Sequence, residues 1–163
     1  MRILIIIPTY NEKENVGFLV ESIFKDYLDV SILVVDDDSP DKTAEIVKEL
    51  QKTFPRLFLQ QRFGDRGFGR SYVAGFKQAM KGQLCEVIVM MDADFSHDPK
   101  EIPKMLKKLD YGDAVIGSRY IQGGRIENWN LRRRVLSKFA NLYVRAILRS
   151  PIRDMTAGFM CFR

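Results

Sequence analysis

The sequence predicts an α/β fold in which a mostly parallel central sheet carries helices on both faces. Short apolar runs alternate along the chain with longer segments whose apolar residues recur at helical spacing. The apolar runs are continuous, which is typical of strands that are buried on both faces. Acidic residues follow two of these runs directly, at the carboxyl ends of strands, where open α/β sheets bind ligands.

These patterns predict five strands and five helices. The predicted strands are residues 3–7, 31–35, 57–61, 87–91 and 113–117. The predicted helices are about 12–28, 41–53, 70–81, 98–109 and 131–148. Asp98 followed by Pro99 is a favourable helix start. In the third helix the apolar side is predicted to consist of Val73, Phe76, Ala79 and Met80.

The length and composition are those of one domain with its own core: 163 residues, of which 46% are apolar. The segment 152–163 looks like the start of another element, so we expect residues 1–163 to be a single domain that is truncated at its C-terminus. Cys85 and Cys161 provide no disulfide framework, which indicates a reducing, cytoplasmic setting. No apolar run approaches the ~20 residues needed to span a bilayer.

Charge is distributed unevenly along the chain, whose net charge is +5. From Leu131 to Arg153 there are basic residues and no acidic ones. On the predicted helix 131–148, an apolar arc consists of Leu131, Val135, Phe139, Leu142, Tyr143 and Ala146. A basic stripe beside it consists of Arg134, Lys138, Arg145 and Arg149. This stripe is either a solvated surface or a face that meets anionic lipid. Nucleic acid is not expected, because no aromatic residues interleave with the basic ones in the manner of a stacking platform.

Asp92 and Asp94 follow the fourth predicted strand, one residue apart, and Asp36, Asp37 and Asp38 follow the second. Carboxylates at a strand end can hold a hard divalent cation. The Asp-x-Asp spacing alone is equally compatible with two solvated acids. The second acidic strand end favours a metal site.

Four motifs in order resemble glycosyltransferase family 2, and within it the polyprenol (dolichol) phosphate mannose synthases. They are Pro8-Thr9-Tyr10-Asn11-Glu12, Val34-Val35-Asp36-Asp37-Asp38-Ser39-Pro40-Asp41, Met91-Asp92-Ala93-Asp94-Phe95-Ser96-His97 and Gly117-Ser118-Arg119-Tyr120. The resemblance implies a GT-A type nucleotide-sugar-binding fold. It also implies inverting transfer of a hexose, usually mannose from GDP-mannose, to a polyprenyl (dolichyl) phosphate at the membrane surface, assisted by Mg²⁺ or Mn²⁺.

The resemblance also implies roles for individual residues. The nucleotide-sugar site would consist of Pro8, Tyr10, Glu12, Val35, Asp37, Asp92, Ala93 and Asp94. Within it, Asp92 and Asp94 would hold the metal. The acceptor phosphate would meet Arg119, Arg133 and Ser137. Catalysis would rest on Asp94, Arg119 and Arg133. Ser96 stands where some relatives have a Gln that reaches the metal. His97 receives no role, and Asp154 is expected either to orient the basic groups or to cap a turn.

Other functions stay open at this point. A family 2 enzyme could use another donor or acceptor, for instance UDP-glucose. A truncated chain could bind nucleotide sugars without turnover. Haloacid-dehalogenase-like phosphatases also have Asp-x-Asp at a strand end, but on their first strand, whereas this pair follows the fourth.

Overall fold

The computed structural model describes residues 1–82, 85–121 and 131–163, without the side chains of Leu131, Arg133 and Arg134. The strands are β1 (Ile3–Thr9), β2 (Val30–Asp36), β3 (Leu57–Gln61), β4 (Val87–Met90), β5 (Ala114–Ile116) and β6 (Met160–Phe162). The α-helices are α1 (Val16–Asp26), α2 (Thr43–Leu50), α3 (Phe68–Gly82), α4 (Ile102–Lys108) and α5 (Leu131–Leu148). Short 3-10 turns, Pro99–Glu101 and Leu109–Tyr111, flank α4.

The described strands form one sheet in the order β3-β2-β1-β4-β6-β5. β1 pairs in parallel with β2 and β4, and β2 pairs in parallel with β3. β6 is antiparallel to both of its neighbours, β4 and β5. The predicted mostly parallel sheet is therefore confirmed. The antiparallel strand comes from the segment in which the sequence indicated only the start of another element.

Both faces of the sheet are covered by helices, as predicted. Along β1, Ile5 and Ile7 point into a core formed with α1, α2 and α4. Leu4 and Ile6 point the other way, into a smaller core formed with α3. Because side chains alternate along a strand, the continuous apolar run of β1 supplies both cores.

The predicted apolar side of α3 is only partly correct: Ala79 is buried and Phe76 packs against the core, but Val73 and Met80 do not. The residues that α3 buries are Ser71, Tyr72, Gly75 and Ala79, whereas Val73 and Met80 are exposed. The reason is a close approach of the helix to the sheet. A Cβ atom on Gly75 would lie only 2.8 Å from Cγ2 of Ile6. The helix therefore packs through its small residues, and this rotation turns Tyr72 toward the carboxyl end of β4.

Helix boundaries differ from the predictions by a few residues. Asp98 caps its helix as predicted, accepting a hydrogen bond from the Lys100 N–H at 3.0 Å, but the first turn is 3-10 and α4 begins at Ile102. α3 begins at Phe68, two residues earlier than predicted. Within the described parts of the chain, no helix combines the length and apolar character that crossing a membrane requires.

α5 meets the rest of the protein through polar residues. Asn141 is buried; its amide donates to Thr156 Oγ1 at 3.1 Å, and its Oδ1 accepts from the Met155 N–H at 2.6 Å. Ser137, one turn earlier, bonds to Tyr120. The predicted apolar arc from Val135 to Ala146 lies on the exposed side, with Phe139 and Leu142 in contact with solvent. The side chain of Leu131, which the arc also includes, lies outside the described residues.

Candidate active site

The carboxyl ends of β1, β2 and β4 meet around a cavity of about 520 Å³. Parallel pairing brings these three ends to the same edge of the sheet, as Thr9 is in register with Asp36 and Ile6 with Met90. The described residues that line the cavity are Pro8, Thr9, Tyr10, Glu12, Asp37, Arg66, Gly67, Phe68, Ser71, Asp92, Ala93 and Asp94.

Asp36 is a structural anchor beneath this cavity. It is fully buried, and its Oδ1 accepts hydrogen bonds from the hydroxyls of Thr9 at 2.9 Å and Ser39 at 2.6 Å. Its Oδ2 accepts from the Ser39 N–H at 3.0 Å. These bonds join the ends of β1 and β2, so Asp36 holds the rim of the cavity together.

Asp37 fixes the loop that follows β3. Its Oδ1 is paired with Arg62, and its Oδ2 accepts from the Gly67 N–H at 2.8 Å. The Arg62 guanidinium also donates to Ser71 Oγ at 3.1 Å. The glycine-containing segment 62–67 is thereby tied to the floor of the site. A ligand that bonds to Asp37 would share a carboxylate that already accepts from two protein groups.

Arg66 and Tyr10 form one wall of the cavity. Arg66 Nη1 donates to the Tyr10 hydroxyl at 3.0 Å, and its guanidinium carbon lies 4.9 Å from the centroid of the Tyr10 ring. Arg66 also pairs with Asp38 at 3.2 Å. Arg66 belongs to none of the motifs that predict the site. The signal in the sequence that could have indicated Arg66 is its position between glycines, beside a predicted ligand cleft.

Asp94 is held in its ionised form. Its Oδ1 accepts from the Ser96 N–H at 3.0 Å. Burial acts to raise its pKa, but the hydrogen bonds from Ser96, together with His97 and the backbone of Asp94 itself, bring the pKa below its ordinary value. Asp94 is therefore a carboxylate near neutral pH, suited to bind a cation.

Asp92 sits deeper and has different partners. The Tyr72 hydroxyl donates to its Oδ1 at 3.2 Å, and its own N–H donates to His97 Nδ1 at 2.9 Å. Burial raises the pKa of Asp92 and the Asp94 charge adds to this, whereas His97 and the Tyr72 hydroxyl act in the opposite direction. A cation between the two carboxylates would relieve their repulsion.

These carboxylates fit a metal whose coordination is completed by a ligand. Among residues 1–82, 85–121 and 131–163, no cluster of three or more His, Cys, Asp or Glu side chains could hold a metal by itself. Mg²⁺ is commonly bound by one or two carboxylates together with substrate phosphates. The chemistry of Asp92 and Asp94 fits the protein's part of such a site.

A second polar cluster centres on Arg119, which follows β5. Asp154 Oδ2 accepts from the Arg119 N–H at 3.0 Å and from Nε at 2.8 Å, and Oδ1 accepts from Nη2 at 2.7 Å. Burial acts to raise the pKa of Asp154, but the Arg119 hydrogen bonds outweigh it and lower the pKa. Of the two roles expected for Asp154, the structure supports orientation of a basic group.

Tyr120 connects this cluster to α5. Its hydroxyl donates to Ser137 Oγ at 2.8 Å, and the Arg119 guanidinium carbon lies 5.7 Å from its ring centroid. Thr156 Oγ1 accepts from both Arg119 Nη2 at 2.9 Å and Asn141 at 3.1 Å. Arg119 and Ser137 therefore belong to one network. The side chain of Arg133, the third predicted acceptor residue, lies outside the described residues.

The cavity collects most of the residues predicted for the nucleotide sugar: Pro8, Tyr10, Glu12, Asp37, Asp92, Ala93 and Asp94. Val35 is not among the lining residues, because its side chain is fully buried between β2 and α3. Two partners of Asp92 were missed. Tyr72 was missed because the buried side of α3 was misassigned, and His97 because a lone histidine has no distinguishing spacing.

The chain matches the family model described as Glycosyl transferase family 2 over residues 4–163. It belongs to glycosyltransferase family 2. The polyprenol monophosphomannose synthase of Mycolicibacterium smegmatis is 45% identical over 99% of this chain and 62% of the relative. The dolichol-phosphate mannosyltransferase of Pyrococcus furiosus is 40% identical over 100% of this chain and 46% of the relative. The chain thus spans about half to two thirds of the length of these relatives.

Solved structures place this family 2 chain among GT-A glycosyltransferases. The mannosyltransferase PcManGT of Pyrobaculum calidifontis, in complex with GDP-Man and Mn²⁺, superposes with a TM-score of 0.59 at 27% identity over 71% of this chain and 34% of that one. Glucosyl-3-phosphoglycerate synthase of Mycobacterium tuberculosis superposes with a TM-score of 0.68 over 99% of this chain and 55% of that one. At 16% identity, the second match concerns the fold alone. The predicted GT-A architecture is confirmed.

Proposed function

We propose that this chain transfers mannose from GDP-mannose to a polyprenyl (dolichyl) phosphate, with inversion at the anomeric carbon and with a divalent cation, Mg²⁺ or Mn²⁺. The observation that carries the proposal is the cavity that joins Asp92 and Asp94 to the ends of β1 and β2. The identity of 45% to a polyprenol monophosphomannose synthase supports this reaction within the family.

The donor would lie in the cavity with its diphosphate toward β4. Tyr10, Glu12 and Asp37 line the part formed by β1 and β2, where the nucleoside would bind. Asp92 and Asp94 would hold the cation, which when bound supplies positive charge to the departing diphosphate. Asp94 is suited to this because its Ser96 hydrogen bond keeps its carboxylate ionised.

The acceptor side of the reaction needs orientation more than proton transfer. A phosphate monoester is already anionic near neutral pH, since its second pKa is about 6. It therefore needs no general base, in contrast to a sugar hydroxyl. Arg119 would present its guanidinium to this phosphate, held in place by Asp154. Ser137, bonded to Tyr120, and Arg133 on α5 would complete the acceptor site.

The solvent-exposed face of α5 has the features of a surface that binds a membrane. Phe139, Leu142 and Tyr143 are 62–68% exposed and lie on one arc of the helix. Beside the arc, Lys138 and Arg145 line a cavity of about 230 Å³ together with Arg153. Apolar residues bordered by basic ones suit a helix that lies in the interface of an anionic bilayer. We propose peripheral attachment through this face.

Nucleotide binding tests the donor half of the proposal. Calorimetry should show GDP binding that is strengthened by Mn²⁺, and weaker binding of UDP. In Asp94→Ala the Mn²⁺ dependence should be lost. Asp29→Ala is the control. The Asp29 side chain is 97% exposed, and the residue lies just before the amino end of β2, whereas the cavity is at the carboxyl end. Equal affinity for UDP would favour another donor such as UDP-glucose, and unchanged Mn²⁺ dependence in Asp94→Ala would remove Asp94 from the site.

Turnover and vesicle binding test the acceptor half. GDP release from GDP-mannose should require a polyprenyl phosphate, and binding of GDP without turnover would instead favour a nucleotide-sugar-binding module. Phe139→Ser combined with Leu142→Ser should reduce sedimentation with vesicles that contain anionic phospholipid. Phe18→Ser on α1, which removes a side chain that is 70% exposed, should not. Equal effects of the two changes would contradict attachment through α5.

A further inference from the structure

Groups from three separate segments of the chain enclose the carboxylate of Asp92. Tyr72 reaches it from α3, with its hydroxyl 3.2 Å from Oδ1. His97 reaches it from the turn after β4, with Nε2 3.8 Å from Oδ2. Gly158, which precedes β6, closes the third side. Asp94, in contrast, accepts its hydrogen bond from within its own turn.

The geometry defines which nitrogen of His97 carries the proton. Nδ1 accepts a hydrogen bond from the Asp92 N–H at 2.9 Å, so in the neutral ring the proton is on Nε2. That N–H is on the side of Asp92 Oδ2. The ring is stacked on Phe159, with centroids 5.0 Å apart and planes 10° apart. The His97 ring is therefore fixed by Phe159, with one nitrogen on the backbone of Asp92 and the other near its carboxylate.

Tyr72 is equally constrained. It is 3% exposed, and its ring packs edge-on against Phe68 with centroids 5.1 Å apart. Its hydroxyl donates to Asp92 Oδ1. A buried tyrosine hydroxyl needs such a partner, and here the partner is a residue of the proposed metal site.

Gly158 leaves no room for Asp92 to move toward β6. A Cβ atom at this position would lie 3.3 Å from Asp92 Oδ2 and 3.2 Å from His97 Cε1. The carboxylate is thus held by a donor on one side, a ring on another and close-packed backbone on a third. The remaining direction leads into the cavity, which Asp92 lines.

We propose that Tyr72 and His97 are positioning residues that orient Asp92 toward the bound cation and diphosphate. This inference rests on the proposed function, because that function supplies the cation and the diphosphate toward which Asp92 is oriented. Groups that hold a metal ligand in place typically change metal affinity by about 10–100-fold when they are removed. Neither residue takes part in bond making; both act through Asp92.

Removal of one hydroxyl tests the inference with little disturbance of packing. The measurement is Mn²⁺ affinity in the presence of saturating GDP, by titration calorimetry or by electron paramagnetic resonance of Mn²⁺. Tyr72→Phe should weaken Mn²⁺ binding by about tenfold or more. Tyr27→Phe is the matched control, because it also removes a hydroxyl that makes one hydrogen bond, 3.2 Å from the Pro99 carbonyl and away from Asp92. It should leave Mn²⁺ affinity unchanged.

A double-mutant cycle separates positioning from a general effect on the fold. In an Asp92→Ala background, Tyr72→Phe should weaken Mn²⁺ binding no further, because no carboxylate is left to orient. His97→Asn keeps an acceptor for the Asp92 N–H but loses the Nε2 donor, and should lower Mn²⁺ affinity with metal-free GDP affinity intact. Parent-like Mn²⁺ binding in Tyr72→Phe, or an equal loss in both backgrounds, would overturn the inference. Absence of Mn²⁺-dependent GDP binding in the parent would instead overturn the proposed function.

Discussion

The pairing of Arg119 with Asp154 predicts a large effect from a nearly isosteric change, Asp154→Asn. The Asp154 side chain is fully buried, and its two oxygens accept three hydrogen bonds from Arg119. An Asn has one acceptor oxygen, so its amide N–H₂ would face either the Nε and backbone donors or Nη2. At least one charge-assisted hydrogen bond is lost, and the guanidinium loses its counter-charge.

The size of the effect follows from the burial of the pair. Removal of one partner of a buried ion pair costs about 3–5 kcal/mol. Arg119 retains 23% of its side-chain exposure, so water compensates part of the loss. We therefore expect a loss at the lower end of this range: the free energy of unfolding should fall by about 3 kcal/mol. For a chain of this length this corresponds to a melting temperature lower by about 6–12 °C.

Urea and thermal unfolding followed by circular dichroism measure the effect. Asp29→Asn is the control: it breaks the pair with Arg56, in which Asp29 is 97% exposed, and should cost less than about 1 kcal/mol. The folded pKa of Asp154 is lowered, so its stabilisation is present above its ordinary value of 3.8 and is lost as pH falls through the folded pKa. The parent should therefore approach Asp154→Asn in stability in that acid range. Similar losses for both variants at pH 7 would refute the reasoning.

Three further predictions follow from other parts of the fold. Gly75→Ala should destabilise the protein by about 1–2 kcal/mol, since its Cβ would lie 2.8 Å from a β1 side chain. In the same helix Gly69→Ala has open space and should be neutral or stabilising, and similar results in urea unfolding would contradict the close approach. Arg66→Ala should weaken GDP binding about three- to fivefold in calorimetry, because Tyr10 loses its cation–π partner; unchanged affinity would contradict this role. Burial raises the pKa of the Cys161 thiol to about 11, so iodoacetamide at pH 8 should label it only after unfolding, as mass spectrometry of its peptide would show.

The sequence predicts the first five strands, and the acidic ends of β2 and β4, because local patterns determine both. Continuous apolar runs place β1, β2 and β4 in the interior, and their common direction brings Tyr10, Asp37 and Asp94 to one edge of the sheet. These residues follow the strands directly. Their proximity thus depends on strand direction and hardly at all on side-chain packing.

The parts that the sequence does not predict depend on contacts between distant segments. The buried side of α3 is decided by the close approach of Gly75 to the sheet, which hydrophobic periodicity cannot report. Tyr72 and His97 have functional positions only because α3 and the segment before β6 converge on Asp92. The position of β6 requires pairing with β4 some seventy residues earlier in the chain.

The insertion of β6 between β4 and β5 has a consequence for the order in which the two halves of the site can form. β1, β2, β3 and β4 pair with one another and can assemble as soon as residue 90 has left the ribosome. β5 reaches the sheet through β6, so it must wait until β6, which begins some forty-five residues later in the chain, has been synthesised. During translation the part of the site formed by β1 and β2 would therefore form first. The Gly158 side of Asp92 and the Asp154 anchor of Arg119 would be added only once the segment up to β6 has emerged.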